Sequence, residues 1–194
     1  MNSIADLLTE AGIIQFGLYV NKLDVAPLKL NMDYLPSYPA LLARLAQEAK
    51  TTLVGAKLQR LLATHDSIPL GVAISTYTDI PLVWERRTSA SELVGAYDIG
   101  HPTCLILNSD QDMSFLQSMF DQALRLGLEI NHVLFFLKTT DQYNERIPCR
   151  WHALVTLDSI LDKLVDQGDI TFQLAEAVRA YCASSCRHQG SAAP

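Results

Sequence analysis

The chain has 194 residues, 49% of them hydrophobic, and a formal net charge of −6 from 15 Lys and Arg against 21 Asp and Glu. That length can bury one sizeable core and no linker divides it, so a single domain over residues 1–184 is expected, with a disordered polar tail over 185–194. The acidic balance, without a Lys/Arg run, argues against nucleic acid or anionic membrane as partner; no apolar run nears the roughly 18 residues of a membrane span, and an acidic start without a basic n-region makes cytoplasm the expected compartment.

Ser3 with Asp6 three positions on has the form of a capping box, and Ile4, Leu7, Leu8 and Ala11 share a face, which predicts a short helix ending near Gly12. Ile13–Val20 reads as extended, and Pro27–Asn31 alternates as a half-exposed strand does; together they form an edge layer. Pro36 and Pro39 punctuate a turn. Leu41, Leu42, Leu45 and Ala46 then mark a helix to about Lys50, and a second amphipathic stretch follows with little break. Leu61–Ala63 is a strand, Thr64–Pro69 a loop, Leu70–Tyr77 a helix and Ile80–Trp84 the next strand.

The same unit recurs between Thr103 and Leu137. An apolar run, Thr103–Asn108, meets a polar break, Ser109–Ser114; Phe115, Leu116, Met119, Phe120, Ala123 and Leu124 follow on one helical face, and after Gly127 a second apolar run spans His132–Leu137. Ser109 or Asp110 can cap this helix. Thr156 can cap a helix Leu157–Val165 that Gly168 ends, and Asp169 a last helix to about Ala183. Strands joined by a covering helix pair in parallel with a right-handed crossover, so the expected class is α/β with a doubly wound, mainly parallel sheet. Ligands bind such sheets at the carboxyl ends of the strands, here the loops Asn108–Ser114 and Thr64–Pro69.

Those loops carry the candidate chemistry. His65 and Asp66 have the residue types of an acid–base pair, but adjacent side chains rarely converge on one atom, and turn chemistry is the favoured reading. Asn108-x-Asp110-x-Asp112 matches the first three oxygen ligands of a calcium loop, without its glycine at position six and with Met119 in place of the bidentate Glu; helix capping by the same acids is favoured. Cys182-x-x-x-Cys186-Arg-His188 lacks the second ligand pair of structural zinc, so no metal site is expected there.

Gly12–Gly17, Tyr34–Leu42, Ile68–Ile74, Ile80–Arg87, Thr103–Leu107 and Thr156–Leu161 resemble orotate phosphoribosyltransferases in order and approximate spacing over nearly the whole chain. The resemblance implies the type I phosphoribosyltransferase fold, a small hood built from terminal segments, and a homodimer. It also locates the departures. Where the family holds the ribose of phosphoribosyl pyrophosphate with two acidic residues, this chain has Asn108 and Ser109; its phosphate loop reads Asp110–Ser114, with Asp112 and no glycine. Each carboxylate about 4 Å from a phosphate charge costs around 4 kcal/mol at an effective dielectric constant of ~20. Thr88–Glu92 replaces the mobile loop with its catalytic lysine, and Lys138-Thr139 stands where an Asp-Arg pair holds orotate. Lys22 stands for the family's hood lysine, and Arg86 and Arg87 keep positive charge on the pyrophosphate side, although the matching turn carries Asp66. With no catalytic residue retained, the expectation is a non-catalytic protein that binds a partner protein or small ligand, needing no cofactor. The alternative is an active phosphoribosyltransferase, for which Mg²⁺ would be required.

Overall fold

The computed structural model describes residues 3–20, 25–86, 92–139 and 149–188, with side chains to residue 184. Lys22, Arg87, residues 88–91 of the shortened loop, and the side chains of Cys186 and His188 therefore lie outside the described residues.

Helix α1 (Ile4–Glu10) starts with the capping box: Asp6 N–H donates to Ser3 Oγ at 3.2 Å and Ser3 N–H to the Asp6 carboxylate at 2.7 Å. Donation from Ser3, its backbone N–H first, holds the Asp6 carboxyl down at about 2. Gly12, at φ +65°, turns the chain into β1 (Ile14–Val20), which pairs antiparallel with β2 (Val25–Leu30) as a separate two-stranded sheet, the edge layer of the sequence reading. A 3₁₀ segment, Met32–Ser37, leads into α2 (Pro39–Thr52). The second amphipathic stretch expected after Lys50 is not a helix: Leu53 ends α2, Gly55 takes φ +82°, and residues 53–59 descend irregularly to the sheet. Leu53 and Leu58 supply the apolar pattern as loop residues packed on the core.

The main sheet is built in chain order by β3 (Arg60–Ala63), α3 (Ile68–Thr78), β4 (Leu82–Arg86), β5 (Glu92–Val94), β6 (His101–Leu107), α4 (Met113–Arg125), β7 (Leu128–Lys138), β8 (Arg150–Thr156), α5 (Leu157–Gln167) and α6 (Phe172–His188). Its strand order is β5-β4-β3-β6-β7-β8. β4, β3, β6, β7 and β8 run parallel, and β5 is the antiparallel edge. The expected α/β class and mainly parallel sheet are thus observed, as are all four predicted parallel strands. Alternate residues feed two apolar layers. Cys104, Ile106, Leu134 and Phe136 pack with α1, α2, α3, α5 and α6 on one side, and Leu105, Leu107, Val133 and Phe135 with α4 on the other. The terminal segments gather as a hood, α1 touching α5 and β1, and α6 touching β2 and α5.

The helix boundaries depart from the sequence reading most at α4 and α6. α4 starts at Met113, and the residue at its N-cap is Asp112, not Ser109 or Asp110; Asp112 makes no side-chain cap bond. α6 starts at Phe172, where Thr171 Oγ1 accepts from Leu174 N–H at 3.2 Å, while Asp169 gives its own N–H to Leu164 at the end of α5. The helix thus begins two residues later than a cap at Asp169 predicts. α6 also continues through His188, past Ala183. Thr156 caps α5 as expected, accepting from Ser159 N–H at 3.3 Å, and Gly168 ends it at φ +79°.

Candidate functional site at the carboxyl edge of the sheet

The carboxyl ends of β3, β6 and β7 bring together the turn 64–67, the loop 108–112 and the pair Lys138-Thr139. Behind β3 the chain folds into a 3₁₀ turn, His65–Ser67, fixed from inside by hydroxyls. Thr64 Oγ1 donates to the Asp66 carboxylate at 2.6 Å, the Thr64 and Ser67 hydroxyls lie 2.9 Å apart, and Ser67 Oγ donates to the Ile106 carbonyl at 2.8 Å. His65 and Asp66 are both exposed, and Asp66 is engaged with Thr64, not with His65. The backbone N–H of His65 approaches Glu85 Oε2 at 3.5 Å.

The loop after β6 is held by its own side chains. Asn108, 5% exposed, donates from Nδ2 to the Asp66 carbonyl at 2.7 Å, and its backbone carbonyl accepts from Leu137 N–H at 3.1 Å. Asp110 Oδ2 accepts both the N–H and the hydroxyl of Thr139, a latch from β6 to β7. Gln111 Nε2 reaches the Ser109 carbonyl at 3.4 Å, and Ser114 is exposed in the first turn of α4. Two acceptors in this loop, Asn108 Oδ1 and Asp112 Oδ1, are buried without a hydrogen-bond donor. Asp112 adds negative charge at the start of α4, where exposed amides would otherwise favour an anion. Lys138 is half-buried at the end of β7. Arg86 turns to the sheet edge, 3.8 Å from Glu92 in an exposed ion pair.

Loop residues 108–112, Asp66 and Lys138-Thr139 are therefore brought into one connected set, whereas Arg86 is drawn to the β4–β5 edge. Glu85 was missed by sequence reasoning. It is a buried carboxylate beside a groove of about 570 Å³ shared with Phe115 and Met119 of α4. Its signal was available: it sits two residues after buried Val83 in a strand with period two. Thr64 and Ser67 were also passed over, since hydroxyls after a strand are common in turns.

No family model matches the chain. The structure is similar to that of UMP synthase from Leishmania donovani, with a TM-score of 0.81 and 22% identity over 93% of this chain. The chain spans only 42% of that protein's length. Orotate phosphoribosyltransferase from Francisella tularensis matches with a TM-score of 0.71 and 17% identity, covering 91% of this chain and 96% of that one. Adenine phosphoribosyltransferase from Leishmania donovani matches at 0.60 and 13%, over 81% of each chain. What these proteins share with the present chain is the type I phosphoribosyltransferase fold.

Proposed function

We propose that this chain is a phosphoribosyltransferase-fold protein that acts by binding, as a regulator, assembly factor or complex subunit, and does not transfer a phosphoribosyl group. The observation that carries the reading is an inversion of hydrogen-bonding sense in the loop after β6. A phosphate requires converging donors and a positive field. This loop offers the unsatisfied acceptors Asn108 Oδ1 and Asp112 Oδ1, and the Thr139 N–H and hydroxyl that reach it from the end of β7 are spent on Asp110. A buried acceptor left without a donor costs on the order of 1–3 kcal/mol, which a ligand bearing hydroxyl or amine donors would recover. A partner protein's side chain or a small polar molecule has that chemistry. Asp110 and Asp112 stand in the segment that the resemblance matches to the family's phosphate loop, and the sequence between Arg86 and Leu93 contains no lysine. A single domain over 1–184, a homodimer and a cytoplasmic location accompany this reading.

The test is purified protein with orotate, phosphoribosyl pyrophosphate and Mg²⁺, following orotate absorbance, with calorimetric titration of the pyrophosphate cosubstrate alongside. No turnover and no micromolar binding are expected. Turnover within the ~1 to 10³ s⁻¹ usual for enzymes would establish the transferase alternative instead.

A further inference from the structure

The opposite, amino-terminal edge of the sheet carries a feature that the site above does not use. His132 on β7 and His152 on β8 meet with Nδ1 and Nε2 2.9 Å apart, their rings nearly parallel at 4° and 5.2 Å between centroids. His132 is 8% exposed and forms part of the wall of a cleft of about 390 Å³ that also includes Lys57, Asn131 and Arg150 and passes over Gly55. Neither Lys57 nor Arg150 has an acidic partner among the described residues, in a chain with six more acidic than basic side chains. A cleft with two unneutralised cations and a buried imidazole in its wall is a poor design for an empty surface and a good one for an oxyanion.

We propose that this cleft binds a small phosphate-bearing molecule between Lys57, Arg150 and His132, with the histidine pair taking up one proton as the anion enters. In the neutral pair one bridging nitrogen donates and the other accepts, so one outer nitrogen is bare. One added proton keeps the bridge and makes both outer nitrogens N–H donors, and that of His132, in the cleft wall, is the one offered to an oxyanion. The groups around the pair keep it neutral until an anion arrives. Burial first, then the charges of its neighbour and Arg150, lower the protonation of His132; burial and Arg150 do the same to His152. Cys104 of β6, in register with His132, and Cys149 ahead of β8 are kept as neutral thiols by burial, Cys149 being pushed up to about 12. From α2, which packs against β8, the buried residues are the apolar Leu41, Leu45, Ala46 and Ala49. Among the described residues no acidic side chain contributes to the shift of either histidine, so an anion would supply a negative charge that the pair lacks. A transition metal fits less well, because Arg150 repels a cation and no group of three His, Cys, Asp or Glu ligands forms among the described residues. β7 runs about 20 Å from His132 to Lys138 at ~3.3 Å per residue, so the cleft is separate from the carboxyl-edge loop.

The experiment follows the histidine ring resonances of isotope-labelled protein during titration with inorganic phosphate, glycerol 3-phosphate and sulfate at about pH 6 and about pH 8. Sulfate keeps its charge over this range and so isolates the proton taken up by the protein. The His132 and His152 signals should move saturably with all three anions, several-fold more tightly at the lower pH. A preference for glycerol 3-phosphate identifies an ester as the ligand; equal binding identifies the free anion. Lys57→Ala and Arg150→Ala alter exposed side chains, and each should weaken binding by about tenfold without changing the circular dichroism. The proposal is overturned if the ring signals ignore the anions, if they respond to Zn²⁺ alone, or if both variants bind phosphate as the parent does.

Discussion

At the scale of single residues, the histidine pair should make stability depend on pH in a definite direction. Burial and Arg150 lower the protonation of His132 and His152 in the folded chain, so the unfolded chain binds more protons once the pH drops below the ordinary histidine value of ~6.5. Stability is therefore fully present above that value and falls as the pH descends through the folded values. Urea midpoints measured between about pH 8 and pH 5 should decline, and His152→Gln should flatten the decline; an unchanged slope in that variant would contradict the assignment. Asp6 acts in another window. Its lowered carboxyl keeps its contribution above the usual ~3.8 and loses it only as the pH falls toward about 2, so the two effects do not overlap. Neither the pair nor the Asp110–Thr139 latch was legible in the sequence. His132 and His152 are separated by a connection whose length does not encode the β7–β8 register, and a short polar run before a helix gives Asp110 the pattern of a cap, although its carboxylate binds Thr139.

At the scale of elements, α3 depends on a close approach to β3 and β4. A Cβ on Gly71 would lie 2.9 Å from Ala63 Cβ and 3.1 Å from Leu82 Cδ1. Helix propensity favours Gly71→Ala by roughly 1 kcal/mol, but overpacking of this kind costs typically ~1–3 kcal/mol, so the variant should be less stable in thermal or urea unfolding. The elements themselves were largely legible. Leu61–Ala63, Leu105–Leu107 and Val133–Leu137 are continuous apolar runs because both faces of their strands are covered, and only a parallel, two-sided sheet demands that. The stretch after Lys50 misled because Leu53 and Leu58 are apolar anchors of a loop; five residues apart, they share no helical face, and Gly55 between them takes a positive φ.

At the scale of the whole molecule, the fold was legible from collinear segments, whereas function was legible only as departures from a pattern. The two apolar layers are built by residues within strands and helices, and the candidate site by residues that follow strand ends. Each set can change without the other, which is why a likeness in fold carries so little information about chemistry. The homodimer we propose finds support in apolar side chains left on the outside: Leu18 and Val20 of β1 are 84% and 82% exposed, and Val72 of α3 is 51% exposed. Light scattering at micromolar concentration should return twice the 21.5 kDa chain mass. A value for one chain would count against pairing.

The antiparallel strand β5 has a consequence of its own. Among the described residues it is three residues long and has Glu92 facing Arg86 on its neighbour, so that part of the sheet edge is short and charged. Such a border gives an adjacent molecule almost no backbone to hydrogen-bond and resists the strand-by-strand stacking that produces fibrils. Growth of that kind is left to the β8 side, where Arg150 and Thr156 stand exposed at the two ends of the strand as gatekeepers.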